Sequence, residues 1–123
     1  MKDLKERTRE YALCVVRMYS TLPMNAVAQV LGKQALRAAT SVGAHYREAI
    51  RSRSDAEFVS KIEGALQEIE ETRYWLELLV GAEVVSSDRL ESLAAETDEM
   101  TAILVTCAKR VKAGKTQREH KTS

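Results

Sequence analysis

The sequence is poor in the residues that shape β-rich, disulfide-bonded and membrane-spanning proteins. Its 123 residues include one proline, five glycines and 5% aromatic residues. No apolar run approaches the roughly 20 residues that a transmembrane helix needs, and the N-terminal segment MKDLKERTREY lacks the apolar core of a signal peptide. With 45% hydrophobic and 30% charged residues, the chain is predicted to form one globular helical domain located in the cytoplasm.

Cysteine and histidine are also scarce, with two residues of each. In an up-down helical bundle Cys14 and Cys107 would lie roughly 18 Å apart along the axis, whereas a disulfide needs Cα atoms within about 7 Å of each other. Both are therefore predicted to be buried free thiols. Bundle di-iron sites use a Glu-x-x-His motif on two helices, but this chain offers only His45 with Glu48, since His120 lies near the C-terminus. No metal or other cofactor is expected.

Apolar residues recur in alternating steps of three and four along most of the chain, which is the spacing of helices in an antiparallel bundle. The predicted fold class is all-α, an up-down-up-down antiparallel four-helix bundle formed by residues 1–113. A basic tail, residues 114–123, is expected to be disordered. The predicted helices cover residues 3–21, 24–51, 55–80 and 88–112.

Several helix ends carry recognisable sequence signals. Pro23 suits the first turn of the second helix, and Ser54 followed by Glu57 forms a capping box at the start of the third. Gly81 is expected to end the third helix in a left-handed conformation, and Ser87 to cap the fourth. Because the link Ser52-Arg53-Ser54 is short, the second and third helices are predicted to be antiparallel neighbours.

The second helix carries two parallel stripes at helical spacing. The first stripe consists mostly of small apolar residues, namely Ala28, Leu31, Ala35, Ala38, Val42, His45 and Ala49. The second is mostly polar and consists of Gln34, Arg37, Ser41, Ala44, Glu48 and Arg51. Small residues allow close approach of a neighbouring helix, so the polar stripe is expected at the edge of a tight contact.

The partners of the polar stripe follow from the turn between the second and third helices. If that turn centres near Arg53, residues equally distant from it lie side by side, which places Arg37 against Glu68 or Glu71, and Glu48 against Lys61. We interpret these residues as a structural polar network that fixes the helix register through partly buried ion pairs. Its members are Arg37, Ser41, His45, Glu48, Lys61, Glu68 and Glu71.

Charge is distributed unevenly along the chain. Residues 1–53 contain ten Lys or Arg and four Asp or Glu, residues 54–108 contain three and thirteen, and residues 109–123 contain six and one. These charges could cancel within one copy of the chain. Alternatively, the basic first half could meet the acidic second half of another copy, and such a contact between different surfaces closes into a ring when the rotation allows. A homo-oligomer is therefore predicted.

The second and third helices also resemble those of the four-helix-bundle proteins encoded in intervening sequences of bacterial large-subunit ribosomal RNA genes. The shared pattern consists of Gln34, Arg37, Ala38, Ser41, Val42, Tyr46, Glu48, Ser54, Phe58, Glu68, Glu71, Thr72, Tyr74, Trp75 and Leu76. The resemblance extends over roughly residues 5–112. It implies a short bundle that assembles as a pentameric ring and has no established biochemical activity.

The resemblance further implies a relation to the accessory proteins of diversity-generating retroelements, in which a basic ring engages reverse transcriptase and nucleic acid. This chain departs from those patterns in two respects. His45 takes the position where the family usually has asparagine, and the formal net charge is only +1.

Three functions are consistent with the sequence. The preferred one is a non-catalytic homo-oligomeric scaffold or interaction module, because no glycine-rich phosphate loop, Cys-x-x-Cys pair or activated nucleophile is recognisable. The second is an RNA- or DNA-binding accessory protein that contacts phosphates. Its candidate residues are Lys33, Arg37, Arg47, Arg51, Arg53, Lys109, Arg110, Lys112, Lys115 and Arg118. The third is a metal or small-molecule enzyme built around His45, Glu48, Glu68 and Glu71.

Overall fold

The computed structural model describes residues 3–122, and the side chains of residues 3–114. Its four helices are α1 (Leu4–Ser20), α2 (Ala26–Ile50), α3 (Asp55–Gly81) and α4 (Ser87–Thr122). No strand occurs among the described residues, and the predicted all-α four-helix bundle is confirmed. None of the helices in this part of the chain is long and apolar enough to cross a membrane.

The fourth helix differs most from its predicted bounds. It continues past the predicted end at residue 112 and includes most of the segment 114–123 that the sequence predicts to be a tail. Apart from Gly114, this segment is rich in Lys, Arg, Gln and Glu, which are good helix formers and favour continuation of the helix. The side chains of residues 115–123 lie outside the part that the structure describes.

Polar side chains cap the first three helices. The side chains of Asp3, Asn25 and Ser54 accept hydrogen bonds from backbone N–H groups three residues later, at 2.9, 2.9 and 3.1 Å. The capping position of Ser54 agrees with the sequence-based prediction. The predicted place of Pro23 in the first turn of the second helix is wrong, because Pro23 lies before α2. The helix begins after Asn25, whose side chain accepts a hydrogen bond from a backbone N–H group at the helix start, and proline has no side-chain acceptor for this purpose.

The end of α3 also differs from the prediction. Gly81 is the last helical residue, and the left-handed conformation falls at Glu83, with a φ of 61°. The Val84 N–H donates to the Leu79 carbonyl at 3.0 Å, as in a Schellman motif. This turn directs Val85 into the core, where the side chain is buried. α4 then begins at Ser87 itself, so Ser87 is its first helical residue and not the preceding cap.

The four helices pack unequally around the core. α2 packs most extensively against α3, the pairs α1–α2 and α3–α4 also pack together, and α1 scarcely touches α4. The predicted small-residue stripe of α2 is buried at Ala28, Ala35, Ala38, Val42 and Ala49, and half-buried at Leu31 and His45. The close α2–α3 contact therefore follows from the prediction, whereas the gap between α1 and α4 does not.

The prediction that both cysteines are buried is wrong. Both Cys14 and Cys107 are free thiols, as predicted, but Cys14 is exposed and Cys107 is only half-buried. Cys14 lines the groove between α1 and α4, which keeps its side chain in contact with solvent.

Candidate interaction surfaces

The edge of the α2–α3 contact contains the predicted polar network. An Arg37 guanidinium nitrogen lies 3.5 Å from Glu71 Oε1, and Lys61 Nζ lies 3.0 Å from Glu48 Oε2. The helix register predicted from the turn is therefore the observed one. The expected partial burial is wrong for both pairs, since 55% and 48% of the Arg37 and Glu71 side chains are exposed, and 38% and 53% of the Lys61 and Glu48 side chains.

His45 lies between these two ion pairs and covers a gap in α3. A Cβ atom added to Gly64 would lie 2.9 Å from His45 Nδ1, so the absence of a side chain at Gly64 makes room for the imidazole ring. His45 Nδ1 lies 4.0 Å from Glu48 Oε2 and has no hydrogen-bond partner among the described residues. Counting from the turn places His45 opposite Gly64, in the same register as Glu48 and Lys61, but the sequence does not indicate that the imidazole ring takes up the space of the missing side chain.

Among the acidic residues of the network, Glu68 has the environment that is least favourable for a charged carboxylate. Its Oε2 atom is buried and has no hydrogen-bond partner within the described residues. Burial and the adjacent Glu71 carboxylate raise the pKa of Glu68, while the positive charge of Arg37 opposes the rise. In contrast, the hydrogen bond and charge of Lys61 lower the pKa of Glu48. The pKa values of these two carboxyl groups are thus shifted in opposite directions.

Two further observations complete the description of this network. Ser41 donates its hydroxyl to the Arg37 carbonyl at 2.8 Å, within its own helix, and contributes nothing across the contact. Among the described residues, no three His, Cys, Asp or Glu side chains are placed to hold a metal ion together. The observed geometry is that of ion pairs spanning two neighbouring helices.

The candidate phosphate-binding residues are mostly free of ion pairs but do not gather at one point. Lys33, Arg47, Arg51, Arg53, Lys109 and Arg110 are exposed and form no ion pair within the described residues. Arg37 and Lys112 are engaged with acidic residues of α3, Lys112 at 3.1 Å from Glu63. The side chains of Lys115 and Arg118 lie outside the described part of the chain.

Opposite faces of the bundle carry unpaired charges of opposite sign. The basic face is the solvent-exposed side of α1 and α2, with Lys5, Arg9, Arg17, Lys33 and Arg47, and with Glu6 as an acidic exception. The acidic face is the solvent-exposed side of α3 and α4, with Glu70, Glu77, Asp88 and Glu91, and with Lys109 and Arg110 of α4 as basic exceptions. Within the described residues none of these side chains forms an ion pair. The sequence indicated the charge asymmetry, and the helix arrangement places it on opposite sides.

A few polar contacts bridge α1 and α4 where these helices otherwise separate. Arg7 forms a two-pronged ion pair with Glu96, with nitrogen–oxygen distances of 2.8 and 3.0 Å for one guanidinium nitrogen. The Tyr11 hydroxyl lies 2.7 Å from Thr97 Oγ1 in the buried core. Burial raises the pKa of Tyr11 to about 12, although the hydrogen bond to Thr97 opposes the rise. These contacts between α1 and α4 were not predicted from the sequence, although Tyr11 and Thr97 are polar residues within otherwise apolar stripes and so indicated a buried hydrogen bond.

The start of α2 exposes apolar side chains. Met24 is 89% exposed, and Val27, Val30 and Tyr74 are all more than half exposed. The α2–α3 register places Tyr74 near the same end of the bundle as the two valines. These exposed apolar side chains are candidates for a contact with another molecule.

These features define a small antiparallel four-helix-bundle protein with paired charges along one helix contact and opposite charges on two faces. The model of the 23S rRNA-intervening sequence protein family matches residues 2–106, and the chain belongs to that family. A crystal structure of a protein of unknown function from the S23 ribosomal protein family of Bacteroides thetaiotaomicron is similar over 87% of this chain and 99% of that one. The two share 36% sequence identity and a TM-score of 0.82. Among curated proteins, none matches the sequence.

Proposed function

We propose that this protein is a non-catalytic, homo-oligomeric interaction module in which the basic face of one copy meets the acidic face of the next. The oligomer is a closed ring, with five copies as the size that the sequence resemblance implies. The observation that carries the proposal is the presence of unpaired charges of opposite sign on opposite faces of one bundle. A contact between two different faces repeats from copy to copy until the rotation closes it.

Electrostatics in such an assembly contribute register and association rate more than affinity. Exposed charges separated by more than about 8 Å are largely screened at physiological ionic strength, so the attraction depends on close apposition of the faces. Apolar side chains must then supply much of the affinity. Residues that are half exposed or more, such as Val27 and Val30, are available for that purpose.

The test is the native mass, measured by light scattering at low and at high salt. Arg17→Glu reverses one charge of the basic face, whereas Arg53→Glu makes the same change in the link between α2 and α3. We expect an oligomer that Arg17→Glu weakens and Arg53→Glu leaves intact, with circular dichroism confirming that both variants fold. A wild-type chain that is monomeric at both salt concentrations would contradict the proposal.

A second candidate function is phosphate-mediated binding of RNA or DNA, and one observation favours it. Lys33, Arg47, Arg51 and Arg53 are exposed along one helix and its link, and none forms an ion pair within the described residues. Each neutralised phosphate makes the affinity more sensitive to salt. Fluorescence anisotropy with a labelled RNA at several salt concentrations tests this function, and Arg53→Glu should then weaken binding. Affinity that does not change with salt would rule out a phosphate-driven mode.

A further inference from the structure

We infer that the groove between α3 and α4 receives the solvent-exposed side of α1 from a second copy of the chain. This inference rests on the proposed homo-oligomer and specifies which surfaces form its contact. It is carried by the shape and charge of the groove, by the composition of α1, and by the position of both along the bundle.

The groove has an apolar floor and an acidic rim. Its volume is about 580 Å³, and its floor is formed by the buried Leu76 and Leu90, beside the half-buried Val80 and the exposed Ala94. Acidic side chains surround the floor, namely Glu77, Asp88, Glu91 and Asp98. Asp98 is bound to Arg73 at 2.5 Å across the groove, but the other three form no ion pair within residues 3–114. The groove thus offers apolar area together with uncompensated negative charge.

The solvent-exposed side of α1 has the complementary composition. Val16 is 37% exposed and Leu13 is half-buried, although both lie away from the buried stripe of the helix. Arg9 and Arg17 flank them, are exposed, and form no ion pair among the described residues. An amphipathic helix that presents aliphatic side chains between arginines fits a groove with an aliphatic floor and carboxylates on its rim.

The two surfaces also lie at the same height along the bundle axis. Leu13 and Val16 lie within about 10 Å of the end of α1 at Ser20, and Leu90 and Ala94 lie within about 10 Å of the start of α4, which is at the same end of the bundle. Because α1 and the α3–α4 groove are on opposite sides, a copy cannot fill its own groove. Equal heights allow neighbouring copies to meet by rotation without translation, which closes a ring and does not extend a filament.

Disulfide trapping tests this contact directly. In the background Cys14→Ala/Cys107→Ala, one variant carries Val16→Cys with Ala94→Cys, which lines the groove between α3 and α4. The matched control carries Val16→Cys with Ser92→Cys, two residues away and lining the groove between α1 and α4. Mild oxidation with an added oxidant joins thiols whose Cβ atoms approach within about 4.5 Å. Circular dichroism and the native mass of each variant are measured before oxidation.

We expect the Val16→Cys/Ala94→Cys variant to give a ladder of covalent multimers that ends at the native copy number, and the control to give none. Oligomers that fail to cross-link in the Ala94→Cys variant would overturn this inference and leave the proposed homo-oligomer standing. Cross-links in the Ser92→Cys control would overturn it as well, because α1 would then contact the other groove. A ladder that continues past the native copy number would refute ring closure, and a folded monomer would refute the proposed function itself.

Discussion

The hydrogen bond between α1 and α4 gives the sharpest stability prediction. The Thr97 hydroxyl donates its hydrogen to the Leu93 carbonyl at 2.8 Å, so in the 2.7 Å contact with Tyr11 the tyrosine is the donor. Tyr11→Phe removes this donor without leaving a cavity. Because both residues are 1% exposed, the loss should be about 1–1.5 kcal/mol of unfolding free energy, the upper part of the range for a neutral hydrogen bond.

That loss corresponds to a fall in Tm of about 4–6 °C, from an unfolding entropy of about 2.1 cal/mol/K per residue for a chain of 123 residues. Thermal unfolding followed by circular dichroism at fixed protein concentration measures it, since the stability of an oligomer depends on concentration. Tyr19→Phe is the control, because the Tyr19 hydroxyl also donates at 2.7 Å, to Gln29, but in a half-buried position. If Tyr11→Phe melts no lower than Tyr19→Phe, the hydrogen bond does not hold α1 to α4.

Three further predictions concern the α2–α3 contact and its surroundings. In Gly64→Ala the new Cβ forces the His45 ring to move, at a cost of about 1–3 kcal/mol, and a gain of about 1 kcal/mol in helix propensity offsets part of it, so we expect a net loss of up to about 2 kcal/mol. In Gly81→Ala the new Cβ meets no atom within 4 Å and the variant should gain about 0.5–1 kcal/mol; urea titration of both variants compares them. Glu68→Gln should raise Tm at neutral pH, and the gain should vanish in acid: a raised native pKa means that the carboxyl favours folding only when protonated, and that this contribution is lost as pH rises. An unchanged Tm difference across the acidic range would contradict the stated cause. Arg37→Ala should change stability by less than about 0.5 kcal/mol, because its ion pair is half exposed; a loss of several kcal/mol in urea would show that the pair is buried in the assembly.

Antiparallel register could be predicted from the sequence because it depends only on counting from a short turn. This is why Arg37 and Glu48 meet their expected partners. The wrong prediction of a left-handed conformation at Gly81 has a different origin. Glycine adopts this conformation most easily, but the turn that buries Val85 in the core places it at Glu83 instead. Local sequence signals do not contain that contact.

The candidate surfaces were predictable only in part. The charge asymmetry is visible in the sequence, but its division between opposite faces depends on the order of the helices around the core. The grooves beside α4 depend on how far that helix stands away from its neighbours, which apolar periodicity does not specify. His45 illustrates the limit, because its position is set by the missing side chain of Gly64 on another helix.

An even number of antiparallel helices has a practical consequence for handling this protein. α1 begins and α4 ends on the same side of the bundle, while the turns before α2 and α4 lie on the other side. α4, with 36 residues against 27 in α3, is longer by about 13 Å and therefore extends beyond the start of α1. An affinity tag or fluorescent label attached at either terminus would thus be carried away from Met24 and from the groove between α3 and α4, so immobilised protein would present those surfaces unobstructed.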